Sequence, residues 1–247
     1  MKIWLGVAFV LSLLPLSILA GYKDLPKAIQ KADNSTVLIC VDNQPAGSGL
    51  VVTRNNKYYV WTDAHVVDSC KIEKQVLGFK FQNFTKAKVV KKLLKDDEVI
   101  STLSVDGEII AFDEKLDIAL LELSGGDDKH FKNTKFYLED KLLPRGTDII
   151  LVGNFLNFQT GTSGVTGAST GIIGGYGHKV DGQKFDIIHN GAVTGGCSGS
   201  GVFLEDGRCI GIVCRMWSTN TVLYSPIREI KKWAQINDLM WALEENK

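Results

Sequence analysis

Three widely separated side chains, His65, Asp117 and Ser198, are of the types needed to make and use an alkoxide nucleophile. A serine hydroxyl attacks poorly until a neighbouring base takes its proton. An imidazole serves as that base when a carboxylate fixes its tautomer and stabilises its cation. Ser198 lies in Gly195-Gly196-Cys197-Ser198-Gly199-Ser200-Gly201, which runs directly into the apolar Val202-Phe203-Leu204. Small residues there allow a sharp turn that exposes a hydroxyl together with bare N–H groups, able to attack a carbonyl and hold the resulting oxyanion. The frame alone is weak evidence, because Gly/Ser clusters are mostly ordinary loops. A second cluster, Gly161-Thr162-Ser163-Gly164, lacks suitable partners: the last histidine after it is His189, and only Asp181 and Asp186 lie between, crowded against that histidine.

His65 follows the apolar run Val60-Trp61 in a tight segment, Thr62-Asp63-Ala64-His65-Val66-Val67. Asp117 opens the apolar strand Ile118-Ala119-Leu120-Leu121, where a carboxylate is costly to bury unless something pairs with it, and an imidazolium is a suitable partner. His130 and His178 sit in polar surroundings and read as solvated. The chain order His65, Asp117, Ser198 excludes an α/β-hydrolase arrangement, in which the nucleophile precedes the histidine and a helix follows the serine.

The elements that must position these groups read as many short strands, rich in β-branched and aromatic residues and bounded by Gly, Asn, Asp or Lys. They are expected at 36–41, 49–53, 58–62, 75–81, 87–93, 99–103, 108–112 and 118–123, then at 135–138, 148–152, 164–174, 185–189, 201–204, 209–217 and 222–225. Asn55-Asn56 and Asp106-Gly107 are hairpin-turn signals. A short helix is expected over 24–31, and a terminal helix over 225–246 with Ser225 as N-cap and Ile227, Ile230 and Ala234 on one face. Ser124-Gly125-Gly126-Asp127-Asp128 divides the strands into two groups, which suggests an all-β chain of two small antiparallel barrels closed by one helix.

Bulk properties narrow the classes further. The 247 residues are 45% hydrophobic and carry no net formal charge, which argues against nucleic acid as the main partner. Lys2 followed by the apolar run Ile3–Leu19 and Ala20-Gly21 reads as a signal peptide over 1–20, with an uncleaved membrane anchor as the alternative. The mature protein is therefore expected outside the cytoplasm, secreted or periplasmic. Five cysteines leave at least one unpaired. Cys209 and Cys214 fall on one strand roughly 16 Å apart, too far to bridge. Cys40 and Cys70 are the pair to consider. No Cys/His cluster has zinc spacing, so neither a metal nor a cofactor is expected.

Thr62-Asp63-Ala64-His65-Val66-Val67, Asp117-Ile118-Ala119-Leu120-Leu121 and Gly196-Cys197-Ser198-Gly199 resemble the three signatures of trypsin-like serine proteases, the HtrA (Deg) type in particular. Gly47-Ser48-Gly49-Leu50-Val51-Val52, Leu151-Val152-Gly153-Asn154 and Thr166-Gly167 to Ile172-Ile173 resemble further strands of that group, and the likeness runs from about Leu25 to Trp233. It implies two six-stranded antiparallel β-barrels, the first over 21–126 with His65 and Asp117, the second over 127–224 with Ser198, then a helix over 225–247. No PDZ segment is expected after that helix.

By this resemblance His65 is general base and then acid, Asp117 orients it, and Ser198 forms an acyl-enzyme. Gly196 and Ser198 supply the oxyanion-hole N–H groups, and protein or peptide substrates are cleaved. The strand Ile212-Val213-Cys214-Arg215 pairs with the substrate backbone. Ala192, Val193 and Thr194, with Val213, Cys214 and Met216, line the substrate site. No acid stands there to receive Lys or Arg, so a small or medium apolar side chain is expected before the scissile bond. Arg215 is expected to be solvated. Cys197 departs from the Asn or Asp usual before the nucleophile, and with no Ile-Val-Gly-Gly-like site, activation by a new N-terminus is not expected. Two alternatives stay open. One is a cysteine protease using Cys197, although the expected glycine follows Ser198 instead. The other is a catalytically silent module that holds peptides in the cleft.

Overall fold

In the computed structural model, the described residues are 25–76, 79–95, 98–127, 129–155 and 165–245. The expected signal segment 1–20 and the cluster around Ser163 lie outside them. No helix among the described residues is long and apolar enough to cross a membrane.

After helix α1 (Leu25–Ser35), the first half contributes β1 (Thr36–Val41), β2 (Gln44–Arg54), β3 (Lys57–Thr62), the short helix α2 (Ala64–Val67), β4 (Lys71–Val76), β5 (Phe79–Phe84), β6 (Ala87–Lys95), β7 (Glu98–Asp113) and β8 (Ile118–Leu123). Six of these strands close into a barrel in the order β1-β2-β3-β8-β7-β6, with β4 and β5 forming a separate hairpin. The second half contributes β9 (Lys135–Phe136), β10 (Asp148–Phe155), β11 (Val165–Val180), β12 (Gln183–His189), β13 (Gly201–Phe203), β14 (Arg208–Ser218), β15 (Thr221–Pro226) and helix α3 (Ile227–Ile236). Its sheet runs β13-β10-β11-β12-β15-β14-β9, and β13 also pairs with β14, so six strands form a second ring with β9 added in parallel. The expected all-β double barrel is the observed architecture.

Side-chain alternation explains how the rings join. On β10, Ile149 and Leu151 point into the second barrel, whereas Ile150 and Val152 point out of it. On β8, Ala119 and Leu121 fill the first barrel while Ile118 and Leu120 leave it. The outward residues of both barrels merge into one shared core with Trp61, Phe203 and Ile212. Ala28 and Ala32 of α1 and Ile227, Ile230 and Ala234 of α3 cover that core. Strands buried on both faces read as continuous apolar runs, which is why these were recognisable.

Lys91 ties α1 to the barrel. Its buried ammonium donates to the carbonyls of Asp33 and Thr36 at 2.5 and 3.0 Å, and burial lowers its pKa to about 8. Ser35 and Thr36 hydroxyls both donate to Ala32 O at the same helix end.

Several local expectations are corrected. Asn55 and Asn56 do form the left-handed β2–β3 turn (φ 51° and 59°), but Asp106-Gly107 lies inside the single strand β7. There a Cβ on residue 107 would meet Leu121 at 2.9 Å, so the glycine serves close strand approach, not a turn. The strand expected over 75–81 is a hairpin, β4 paired with β5. The terminal helix ends at Ile236, because Asn237 has left helical geometry and Asp238 is left-handed (φ 57°). Its N-cap is Pro226, and Ser225 belongs to β15. Cys40 and Cys70 are buried free thiols, as are Cys197, Cys209 and Cys214.

Candidate active site

The structure brings His65, Asp117 and Ser198 to one cleft of about 940 Å³ between the two barrels. His65 stands on α2, immediately after β3. Asp117 sits at the entry to β8 with φ 52°, a left-handed conformation that costs a non-glycine residue of order 1–2 kcal/mol. That strain aims the carboxylate at the imidazole. His65 Nδ1 lies 3.0 and 2.9 Å from the two oxygens of Asp117, and the His65 backbone N–H donates to Asp117 Oδ1 at 3.0 Å. Both Nδ1 and the peptide N–H are thereby fixed by one buried carboxylate, leaving Nε2 toward the cleft.

The charges follow from this pairing. Burial works against a charged His65, but the hydrogen bond to Asp117 and the charges of Asp63 and Asp117 outweigh it and raise its pKa. Burial likewise opposes ionised Asp117, yet its bonds to His65 and that residue's charge hold it below the ordinary carboxylate range.

Ser198 occupies a turn pinned by the first barrel. Ser48 of β2 is the hub: its N–H donates to Ser198 O at 2.7 Å and its hydroxyl donates to Gly196 O at 2.8 Å. The same hydroxyl accepts Asn154 N–H from β10 at 2.8 Å, and Thr62 Oγ1 donates to Ser48 O at 2.7 Å. Gly196 (φ 86°) and Gly199 (φ 83°) are both left-handed. Among the described residues the N–H groups of Gly196 and Ser198 have no acceptor, so two donors remain unspent at this turn. Ser198 Oγ donates to Cys214 O at 3.1 Å, and His65 Nε2 has no partner among the described residues.

Gly199 cannot be replaced without displacing the turn, since a Cβ there would lie 1.9 Å from Ser48 O. Gly199→Ala is expected to lower the melting temperature by at least about 2–4 °C from the left-handed backbone alone. Differential scanning calorimetry measures this, and an unchanged melting temperature would contradict the packing described.

Cys197 borders the same cleft but is buried. Its thiol accepts Thr194 N–H at 3.5 Å, packs in the second-barrel core with Val193 and Val213, and is 3% exposed. Burial raises its pKa, the opposite of what a thiolate nucleophile needs. Val193, Thr194, Val213, Cys214 and Met216 line the cleft. Ala192 does not line it: that residue is exposed, with its N–H on Ser169 Oγ at 2.9 Å. Arg215 is half-exposed but not free, lying over the Phe185 ring and within 3.9 Å of Asp117. Beyond Val213, the β14 edge away from β15 has no strand partner among the described residues, leaving room for an added strand.

Sequence reasoning missed Asp63. It occupies the N-cap of α2 without capping it and is fully buried between the two barrels. A turn-forming residue type at a helix start carries no signal for such a role. Ligand-type atoms of Asp63, His65 and Asp117 lie within 4.8 Å of one another. Their oxygens are taken up by Gly199, Cys214 and His65, so the cluster suits proton handling better than holding an ion.

A family model described as "Trypsin-like peptidase domain" matches residues 47–212. The chain belongs to the trypsin-like peptidase family. Among solved structures, this family member resembles Deg5 at 19% identity and a TM-score of 0.59, over 85% of this chain and 91% of that one. It resembles Rv3671c from M. tuberculosis H37Rv, in the inactive form of a serine-to-alanine mutant, at 17% identity and a TM-score of 0.57, over 89% and 93%. These likenesses concern the fold. No curated protein sequence matches. The chain is thus a trypsin-like peptidase-family double barrel.

Proposed function

We propose that the protein is a serine endopeptidase that cleaves protein substrates through His65, Asp117 and Ser198. The observation that carries this reading is the buried Asp117 clasping Nδ1 of His65 in the same cleft as Ser198, whose turn carries two unspent N–H groups. A substrate strand adds to the open edge of β14. Ser198 Oγ rotates from Cys214 O toward Nε2 of His65, which takes its proton as the oxygen attacks the peptide carbonyl. The N–H groups of Gly196 and Ser198 receive the oxyanion, a contribution of about 2.7–4 kcal/mol per donor in related chemistry. His65 then gives its proton to the leaving amine, and water hydrolyses the acyl-enzyme by the reverse sequence. Asp117 stays ionised throughout and stabilises the imidazolium.

The buried, unactivated thiol of Cys197 supports serine over cysteine as nucleophile. The apolar lining at Val193 and Val213 supports a small or medium apolar residue before the scissile bond. The reading includes export directed by residues 1–20, tested by whether the exported protein begins at Gly21.

The test is a peptide-library cleavage profile with Ser198→Ala as blank, followed by a pH profile of kcat/KM. Neutral His65 is the active form, so activity falls as pH drops through its pKa. Because that pKa is raised, the acid limb is expected to centre above the ordinary histidine value of 6.5. Asp117→Asn is expected to move it down. Cleavage that persists in Ser198→Ala refutes the assignment.

A further inference from the structure

The strongest feature left unused by this mechanism is a second buried carboxylate. Asp63 follows β3 of the first barrel, yet its bonds run to the second: Oδ2 accepts Gly199 N–H at 2.8 Å, and Oδ1 faces Cys214 Sγ at 3.6 Å. Gly199 is the residue after Ser198, and its N–H is shared with Val213 O at 2.9 Å. Cys214 is the residue whose carbonyl receives the Ser198 hydroxyl. Asp63 therefore touches both neighbours of the nucleophile while standing two residues before His65.

Its cost explains why it needs a role. The carboxyl is fully buried and lies within 4.8 Å of both His65 and Asp117 ligand atoms, so two acids stand near one imidazole that only Asp117 bonds. Burial first, and the Asp117 charge second, push Asp63 well above the carboxylate range, against the pull of His65, Gly199 N–H and Cys214. An N-cap aspartate that merely started α2 would turn to that helix, and this one makes no cap bond. A carboxylate kept at such expense inside a reaction site is where function is expected.

We propose that Asp63 is a positioning residue, a second buried carboxyl group that fastens the turn carrying Ser198 to the segment carrying His65. It acts through Gly199 and His65 and does not touch substrate. The charged and titratable groups facing it are His65 from α2, Asp117 at the start of β8 and Cys214 from β14, while Arg215 lies against Asp117. Asp63, His65 and Asp117 lie close enough that a proton on one changes the affinity of the others. The inference rests on the serine mechanism above, but one readout does not.

The experiment is an NMR titration of the His65 imidazole in the protein and in Asp63→Asn and Asp63→Ala, beside kcat and KM on a cleavable peptide. Burial holds the Asp63 proton, so Asp63→Asn, a neutral stand-in of the same shape, is expected to leave the His65 midpoint in place, whereas Asp63→Ala, which frees the Ser198 turn from the His65 segment, is expected to move it. Asp63→Ala is expected to lose roughly tenfold in kcat with KM little changed. Asp63→Asn, whose Oδ1 still accepts Gly199 N–H, is expected to recover part of that loss. Gly199 N–H keeps Val213 O in either variant, so folding survives. A His65 midpoint that stays put in both variants overturns the inference, as does an Asp63→Ala enzyme with full kcat. If the protein itself cleaves nothing, the serine reading fails and the His65 titration still decides the role of Asp63.

Discussion

Ser198→Ala is expected to lower kcat by a factor on the order of 10⁶, the scale on which other triads fail when the nucleophile is removed. The melting temperature should move little, because the lost hydroxyl makes a single bond, to Cys214 O. The turn itself is held by backbone and Ser48 contacts that the substitution leaves in place. Asp117→Asn should cost on the order of 10⁴, since an amide no longer favours the productive tautomer of His65. Cys197→Ala supplies the contrast. Its thiol packs into the second-barrel core, so that variant should lose stability while still cleaving peptide. Steady-state kinetics on a peptide found by library profiling, with calorimetry on each variant, separates these outcomes. Loss of activity in Cys197→Ala with retention in Ser198→Ala would reverse the assignment.

Arg228→Met is expected to give the largest stability loss away from the cleft. Asp186 of β12 is fully buried, and the Arg228 guanidinium of α3 grips it with two bonds of 2.5 Å. Gly177 N–H donates to the same carboxylate at 2.9 Å, and Arg228 also lies over the Tyr176 ring. Removing the cation strands a buried anion, which typically costs about 3–5 kcal/mol. Arg228 is 29% exposed, so water softens the loss toward the lower figure. About 3 kcal/mol corresponds to a fall of roughly 6–12 °C in melting temperature for a chain of this size. The double variant Asp186→Leu with Arg228→Met should recover much of that, because no unpaired charge remains. A single variant as stable as the wild type would show that this pair does not anchor α3.

How far the sequence could be read follows from which faces each element buries. β1 and β8 are apolar on both faces and their bounds match the expectation at 36–41 and 118–123. The hairpin of β4 and β5 was misread because Lys71, Glu73 and Lys74 interrupt any apolar alternation on a solvent-facing ribbon. β7 was split at Asp106-Gly107, where a turn-like dipeptide in fact answers to Leu121 on the neighbouring strand, a contact invisible to local patterning. At the site, residue types and chain order were enough to single out His65, Asp117 and Ser198. What they could not reveal was the scaffolding: Ser48 bridging two barrels, the strained φ of Asp117, and Asp63 reaching across to Gly199. These depend on pairings between residues 52 to 148 positions apart, which no window of sequence contains.

The central claim is that Ser198 is a nucleophile activated by His65. A fluorophosphonate probe tests it most directly, because it phosphonylates an activated serine and spares an unactivated one. Peptide mapping by mass spectrometry should place a single adduct on Ser198, fully lost in Ser198→Ala and strongly slowed in His65→Ala. A protein that is folded yet takes no adduct on Ser198, or that labels as fast without His65 as with it, would contradict the account.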